Sequence, residues 1–145
     1  MKILVTGAAG FIGSELALRL LKEGHDVTGV DCFTAYYDVN LKRDRVKRLL
    51  EYKNFQMHEV HVEDEDAMTT AFQESNPEVV VHLAAQAGVR YSLENPRAYI
   101  DANIVGTFNV MEVARRLEVQ HLLMASTSSV YGANEDMPFT ETEKA

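Results

Sequence analysis

Gly7, Gly10 and Gly13 recur at every third position directly after the apolar run KILVT, and a leucine-rich amphipathic stretch follows them. Asp31 closes the next apolar run, DVTGVD. Glycine is required where a chain turns at positive φ or where backbone must approach a ligand, and a helix N-terminus offers unpaired N–H groups to an anion. In this arrangement Gly7 permits the turn, Gly10 lets the backbone approach a diphosphate, and Gly13 allows the helix to pack closely. A carboxylate at Asp31 accepts hydrogen bonds from adenosine ribose hydroxyls and repels a 2′-phosphate, which favours NAD over NADP. Glycines at strand ends also serve packing alone. The context decides for the cofactor: an apolar strand precedes them, no proline or charge blocks the helix start, and the acid ends the following strand.

Other reactive residues are read more plainly. His82 lies in the apolar run EVVVHLAA, where a histidine on a buried central strand is more often a satisfied core residue than a base. His25, His58 and His121 are scattered without metal-ligand spacing, so no metal is expected. Cys32 beside Asp31 reads as a small packing residue, because nothing nearby favours a thiolate. Arg90 offers either a contact to substrate or cofactor phosphates or a surface ion pair. The run KRDRVKR at 42–48 reads as a solvated helix face.

The elements that must hold these residues follow from periodicity. Strands are expected at residues 2–6, 26–31, 55–60, 78–85 and 120–126, and helices at 11–24, 41–50, 64–74 and 97–116, with a loop at 86–96. Strands alternating with helices imply parallel crossovers and an α/β, Rossmann-type doubly wound parallel sheet in the order 3-2-1-4-5. The run at 78–85 is nearly all apolar, as suits a central strand covered on both faces. A complete dinucleotide fold needs further strands, so residues 1–145 read as an incomplete NAD-binding domain, cut before the last strands and a substrate lobe.

Bulk properties narrow the class. The 145 residues suit one domain, and 46% hydrophobic with 25% charged content excludes a disordered or fibrous chain. A net charge of −8 with scattered basic residues makes nucleic acid a poor partner. One cysteine excludes an intrachain disulfide and suits the cytoplasm. No apolar stretch is long enough for a membrane span, and no membrane association or leader is expected.

Three segments together resemble the extended short-chain dehydrogenase/reductase family of NAD-dependent nucleotide-sugar epimerases and dehydratases: TGAAGFIG at 6–13, HLAAQAGVRYSLENP at 82–96, and ASTSSVYG at 125–132. Within it, YYDVNLK at 36–42 and AQAGVRYSLENP look most like epimerases that interconvert UDP-glucuronate and UDP-galacturonate at C4. The resemblance implies cofactor contacts along the glycine motif, Phe11 and Ile12 included, a nicotinamide side lined by Ala84 and Ala85, and a further cofactor residue at Asn103 in the segment NxxGT. It makes Thr127, four residues before Tyr131, the catalytic hydroxyl, where it could shorten a proton's path between the sugar O4 and a general base. It places the UDP-sugar against Gln86, Arg90, Ser128 and Ser129. The family's 4,6-dehydratases carry Asp-Glu directly after that threonine. Ser128 and Ser129 stand there instead, which argues against elimination of water and suits hydrogen bonding to a uronate carboxylate.

Two departures from the family pattern stand out. An acidic residue normally follows the third strand and meets the adenine amine, whereas the aligned position here is His61, with Glu63 and Asp64 displaced. The Tyr-x-x-x-Lys pair, base and pKa-lowering cation, is absent: none of the six tyrosines has lysine four positions on. By the family's spacing the pair falls beyond Ala145, and the resemblance implies a homodimer for the whole enzyme. A non-catalytic NAD-binding or interaction module, and a related nucleotide-sugar 4,6-dehydratase, remain the alternative readings.

Overall fold

The computed structural model describes residues 1–133 and 137–142. Five parallel strands, β1 (Lys2–Thr6), β2 (Asp26–Asp31), β3 (Phe55–Glu59), β4 (Val79–His82) and β5 (His121–Met124), form one sheet in the order β3-β2-β1-β4-β5. The order reverses between β1 and β4, and open α/β sheets form their ligand crevice at such a point, beyond the carboxyl ends of the strands. The register sets Val5 opposite Gly29 on one side and Val81 on the other.

Side chains alternate across β1, so Ile3 and Val5 enter one core and Leu4 the other. The first core buries Leu18 and Leu21 of α1 (Phe11–Lys22) and Val46 and Leu49 of α2 (Val39–Leu50). The second buries Met68 and Phe72 of α3 (Glu65–Ser75) with Val80 of β4. Asp38 caps α2 by accepting from the Asn40 N–H at 2.8 Å, and Asp64 caps α3 by accepting from the Ala67 N–H at 3.0 Å. Asn76, at φ 44°, ends α3 in the left-handed region that asparagine tolerates.

Beyond β4 the chain departs from its expected elements. The strand stops at His82 because the Leu83 and Ala84 N–H groups both donate to Thr6 Oγ1, each at 3.1 Å, and pull the backbone off the sheet toward Gly7. The expected loop at 86–96 contains a short helix, α4 (Val89–Glu94). The expected single helix at 97–116 is three consecutive segments: α5 (Pro96–Tyr99), a π-helical stretch (Ile100–Gly106) and α6 (Thr107–Arg116). α6 adds Val110 and Val113 to the second core, whereas Ile104, Phe108 and Met111 stay exposed. β5 is one of the sheet's two edge strands, with Leu123 and Met124 exposed. Among the described residues no helix is long and apolar enough to cross a membrane.

Candidate functional site

The glycine turn is built on backbone contacts. Gly7 has φ 72°, and its N–H donates to the Val30 carbonyl at 2.7 Å, tying the end of β1 to β2. A Cβ on Gly7 would lie 2.9 Å from the Ala84 nitrogen, so the post-β4 chain passes over this residue with no room for a side chain. Gly10 precedes α1 and offers no side chain to cap it. A Cβ on Gly13 would overlap the Gly7 carbonyl oxygen. The first turn of α1 is thus pressed onto the loop, with backbone alone facing the strand ends. Phe11 and Ile12 point outward, 76% and 69% exposed, so only their backbone is near the turn.

Asp31 ends β2 almost buried, with three donors on its carboxylate. Oδ2 accepts from the Ala9 N–H at 3.1 Å, and Oδ1 accepts from the Phe33 N–H at 2.9 Å and from Lys42 Nζ at 3.2 Å. Lys42 is therefore not part of a solvated face: its side chain is 8% exposed and forms a buried ion pair. Its run otherwise behaves as expected, with Arg43, Lys47 and Arg48 paired at the surface to Glu59, Asp44 and Glu15. The overlooked signal is spacing, since Lys42, Val46 and Leu49 share one buried helical stripe. Burial, reinforced by Asp31, pushes the Cys32 thiol up, away from a thiolate.

His82 is a core residue with both ring nitrogens in use. Thr6 Oγ1 accepts from two backbone N–H groups, so its own proton goes to His82 Nδ1 at 2.7 Å. The ring proton then lies on Nε2 and reaches Thr107 Oγ1 at 3.1 Å. Burial holds the imidazole below its ordinary pKa, so it stays neutral. This network pins the ends of β1 and β4 to α6.

A cleft of about 780 Å³ opens over these strand ends. Gly7, Gly10, Asp31, Ala84, Ala85 and Gln86 line it together. Asn103 stands behind them: its Oδ1 accepts from the Gln86 N–H at 2.7 Å and its Nδ2 donates to the Gln86 carbonyl at 3.0 Å. It holds the wall rather than facing the cleft. Arg90, exposed on α4, does not line the cleft and has no ion pair among the described residues, whereas Arg97 does line it, paired with Asp101 at 2.7 Å. The sequence singled out neither Lys42 nor Arg97 individually, nor the Tyr36–Tyr91 ring contact, centroids 5.0 Å apart, at the same cleft.

Thr127, Ser128 and Ser129 follow β5 in an exposed turn outside the cleft lining. Thr127 precedes a 3₁₀ turn (Ser128–Tyr131), accepting from the Ser129 N–H at 3.3 Å and donating to Ser129 Oγ at 3.4 Å. No group of His, Cys, Asp and Glu among the described residues is arranged to hold a metal.

A glycine turn under a helix N-terminus, a buried acid on the next strand and a cleft at the reversal of strand order define a Rossmann-type domain. The family model described as GDP-mannose 4,6 dehydratase matches residues 4–145, and the chain belongs to that family. CapI of Staphylococcus aureus is 54% identical over 143 residues, covering 99% of this chain and 42% of its own length. A probable UDP-glucuronate 4-epimerase of Rhizobium meliloti is 52% identical over 145 residues, covering 100% of this chain and 42% of its own. Among solved structures, UDP-glucuronic acid 4-epimerase from Bacillus cereus in complex with UDP-glucuronic acid and NAD superposes with a TM-score of 0.85 at 37% identity, over 94% of this chain and 43% of that one. UDP-glucose-4-epimerase from Stenotrophomonas maltophila, with bound NAD and formylated UDP-arabinopyranose, gives 0.85 at 31% identity, over 99% and 42%. The chain spans about two-fifths of the length of these curated relatives.

Proposed function

We propose that this chain is the NAD-binding portion of a nucleotide-sugar 4-epimerase of the UDP-glucuronate/UDP-galacturonate type. The observation that carries the reading is the glycine cradle at the reversal of strand order: Gly7, Gly10 and Asp31 line one cleft, and α1 begins directly after Gly10. A diphosphate fits that chemistry, with the α1 N-terminus as its electrostatic partner. Asp31 and Lys42 form an acceptor and donor pair suited to a ribose diol, and Ala84 and Ala85 leave space for a flat ring. When bound, NAD supplies reversible two-electron oxidation of a sugar carbinol carbon.

The chain's own residues then divide the work. Asn103 fixes the Gln86 wall, and the exposed Thr127 hydroxyl, bonded locally to Ser129, is assigned to exchange that contact for a sugar hydroxyl and pass its proton toward a base. Ser128 and Ser129 offer donors for a uronate carboxylate and no acid–base pair for elimination, which favours epimerisation over the dehydration in the family model's name. Arg90 is assigned to the sugar-nucleotide side. The homodimer is assigned to the exposed apolar face of the helices from 100 to 116, and the cytoplasm to the whole protein.

The test is conversion of UDP-glucuronate by the full-length protein, followed by NMR of the sugar. UDP-galacturonate formed, and lost in Thr127→Ala, is the expected result. NAD binding without turnover of any UDP-sugar would instead establish the non-catalytic module, the reading that the absence of Tyr-x-x-x-Lys among these residues favours. A dehydrated 4-keto product would establish a dehydratase.

A further inference from the structure

Residues 32–38, the connection between β2 and α2, form a strap along the cleft, and both of its ends are fixed. At one end Phe33 is buried in the first core at φ 50°, its N–H donates to Asp31 Oδ1 at 2.9 Å, and the Arg43 guanidinium lies 3.8 Å from its ring centroid. At the other end Asp38 caps α2, and Arg45 donates to the Tyr37 hydroxyl at 3.0 Å. Tyr36, between these anchors, is 44% exposed and makes no hydrogen bond among the described residues.

What Tyr36 touches is the opposite side of the cleft. Its ring centroid lies 5.0 Å from that of Tyr91 in α4, the planes inclined at 49°, and both residues line the cleft with Gly7 and Asp31. Tyr91 is held in turn by the Asn95 amide, which donates to its hydroxyl at 3.1 Å. Gly88, at φ 98°, precedes α4, and a Cβ on it would overlap the Tyr36 hydroxyl, so this glycine leaves the strap room to seat. Tyr99 keeps that glycine in place by donating to the Ala87 carbonyl at 2.7 Å and to the Gly88 carbonyl. Among the described residues no hydrogen bond joins 32–38 to 86–95, so the two sides meet through ring contact. An aromatic pair of this kind favours contact over separation by about three- to tenfold, a closure that thermal motion breaks and remakes.

We propose that the Tyr36–Tyr91 bridge is a latch across the cleft mouth, setting how fast a dinucleotide enters and leaves while adding nothing to its affinity. The inference rests on the dinucleotide reading above. A strap anchored at both ends and joined to the far wall by two rings opens when the rings part and closes when they meet, with or without a ligand inside. Such a device slows both directions equally, so its loss changes the rates and leaves the dissociation constant where it was. In a 4-epimerase the sugar that reduces the cofactor also reoxidises it, so slow exchange does not limit turnover.

Rapid mixing of the full-length protein with NAD measures entry, and chasing bound radiolabelled NAD with excess unlabelled NAD measures release, with thermal denaturation confirming the fold of each variant. Tyr36→Ala is expected to speed entry and release alike by about three- to tenfold, with a dissociation constant within about twofold of wild type. Tyr36→Phe keeps the ring and is expected to keep wild-type rates. Tyr91→Ala is expected to match Tyr36→Ala, and the double variant to be no faster than either. Unchanged rates in Tyr36→Ala, or Tyr36→Phe as fast as Tyr36→Ala, overturn the proposal. Faster release with affinity weakened in proportion also overturns it, since that is the result for a tyrosine that contacts the dinucleotide. Effects that multiply in the double variant overturn the bridge as the latch, and Tyr36→Ala with Tyr36→Phe decides the question if Tyr91→Ala does not fold. A wild type that binds no NAD defeats the dinucleotide reading itself, and this inference with it.

Discussion

At the residue scale, the buried pair of Asp31 and Lys42 dominates the energetics of the cleft. Removing one member of a buried ion pair leaves an uncompensated charge and costs roughly 3–5 kcal/mol, more than the pair itself contributes. Lys42→Met and Asp31→Asn are each expected to lower the unfolding free energy by about that order, and the double variant to lose less than the sum of the two. Urea unfolding of the four proteins measures the coupling; strictly additive losses would show that the two side chains do not interact. His82 yields a pH dependence. Its folded pKa is depressed, so below the unfolded value, near 6.5, the unfolded chain binds a proton that the native state does not, and stability falls as pH decreases from there. Melting temperatures between pH 7.5 and 5 are expected to decline less steeply in His82→Gln, whose amide can still accept from Thr6 and donate to Thr107. An identical slope would remove His82 from the acid sensitivity.

At the element scale, the five strands and their order were legible, and the stretch from the end of β4 to α6 was not. β1, the glycine turn, α1 and β2 follow from strict local signals: an apolar run, glycines where a Cβ has no space, then a leucine stripe. The end of β4 depends instead on a threonine hydroxyl from β1 that captures two amides 77 and 78 residues away, and no local pattern announces such a capture. The π-helical stretch likewise makes contacts remote in sequence, Asn103 with Gln86 and Gly106 against Val62, which no local pattern announces. Lys42 was hidden by composition, because five charged neighbours in KRDRVKR mask a three-residue buried stripe. Gly13→Ala tests the most local of these signals. Its methyl group would enter the Gly7 carbonyl, so the variant is expected to lose about 1–3 kcal/mol or more of stability, the usual range for overpacking, as α1 is forced off the loop. A wild-type melting temperature would mean that the helix is not in fact seated on the turn.

At the scale of the whole molecule, one region lacks cover. Ile104, Phe108 and Met111 lie exposed at helical spacing, Phe108 at 59%, and the β5 edge adds Leu123 and Met124. Clustered exposed apolar side chains of this kind drive association. The 145-residue chain is therefore expected to self-associate in sedimentation experiments, and Phe108→Glu to shift it toward monomer; a chain monomeric without that substitution would contradict the expectation. The remaining surface carries paired charges such as Arg43 with Glu59 and Arg115 with Glu112, which contribute little to stability but keep that surface hydrated.

These scales converge on the glycine cradle and Asp31, so the most direct measurement is calorimetric titration of the full-length protein with NAD and with NADP, repeated for Asp31→Ala. Saturable binding of NAD in preference to NADP, weakened about tenfold or more in the variant by loss of the carboxylate acceptor, is the predicted result. A folded protein that takes up neither dinucleotide, or one whose NAD affinity is untouched by Asp31→Ala, would contradict the account.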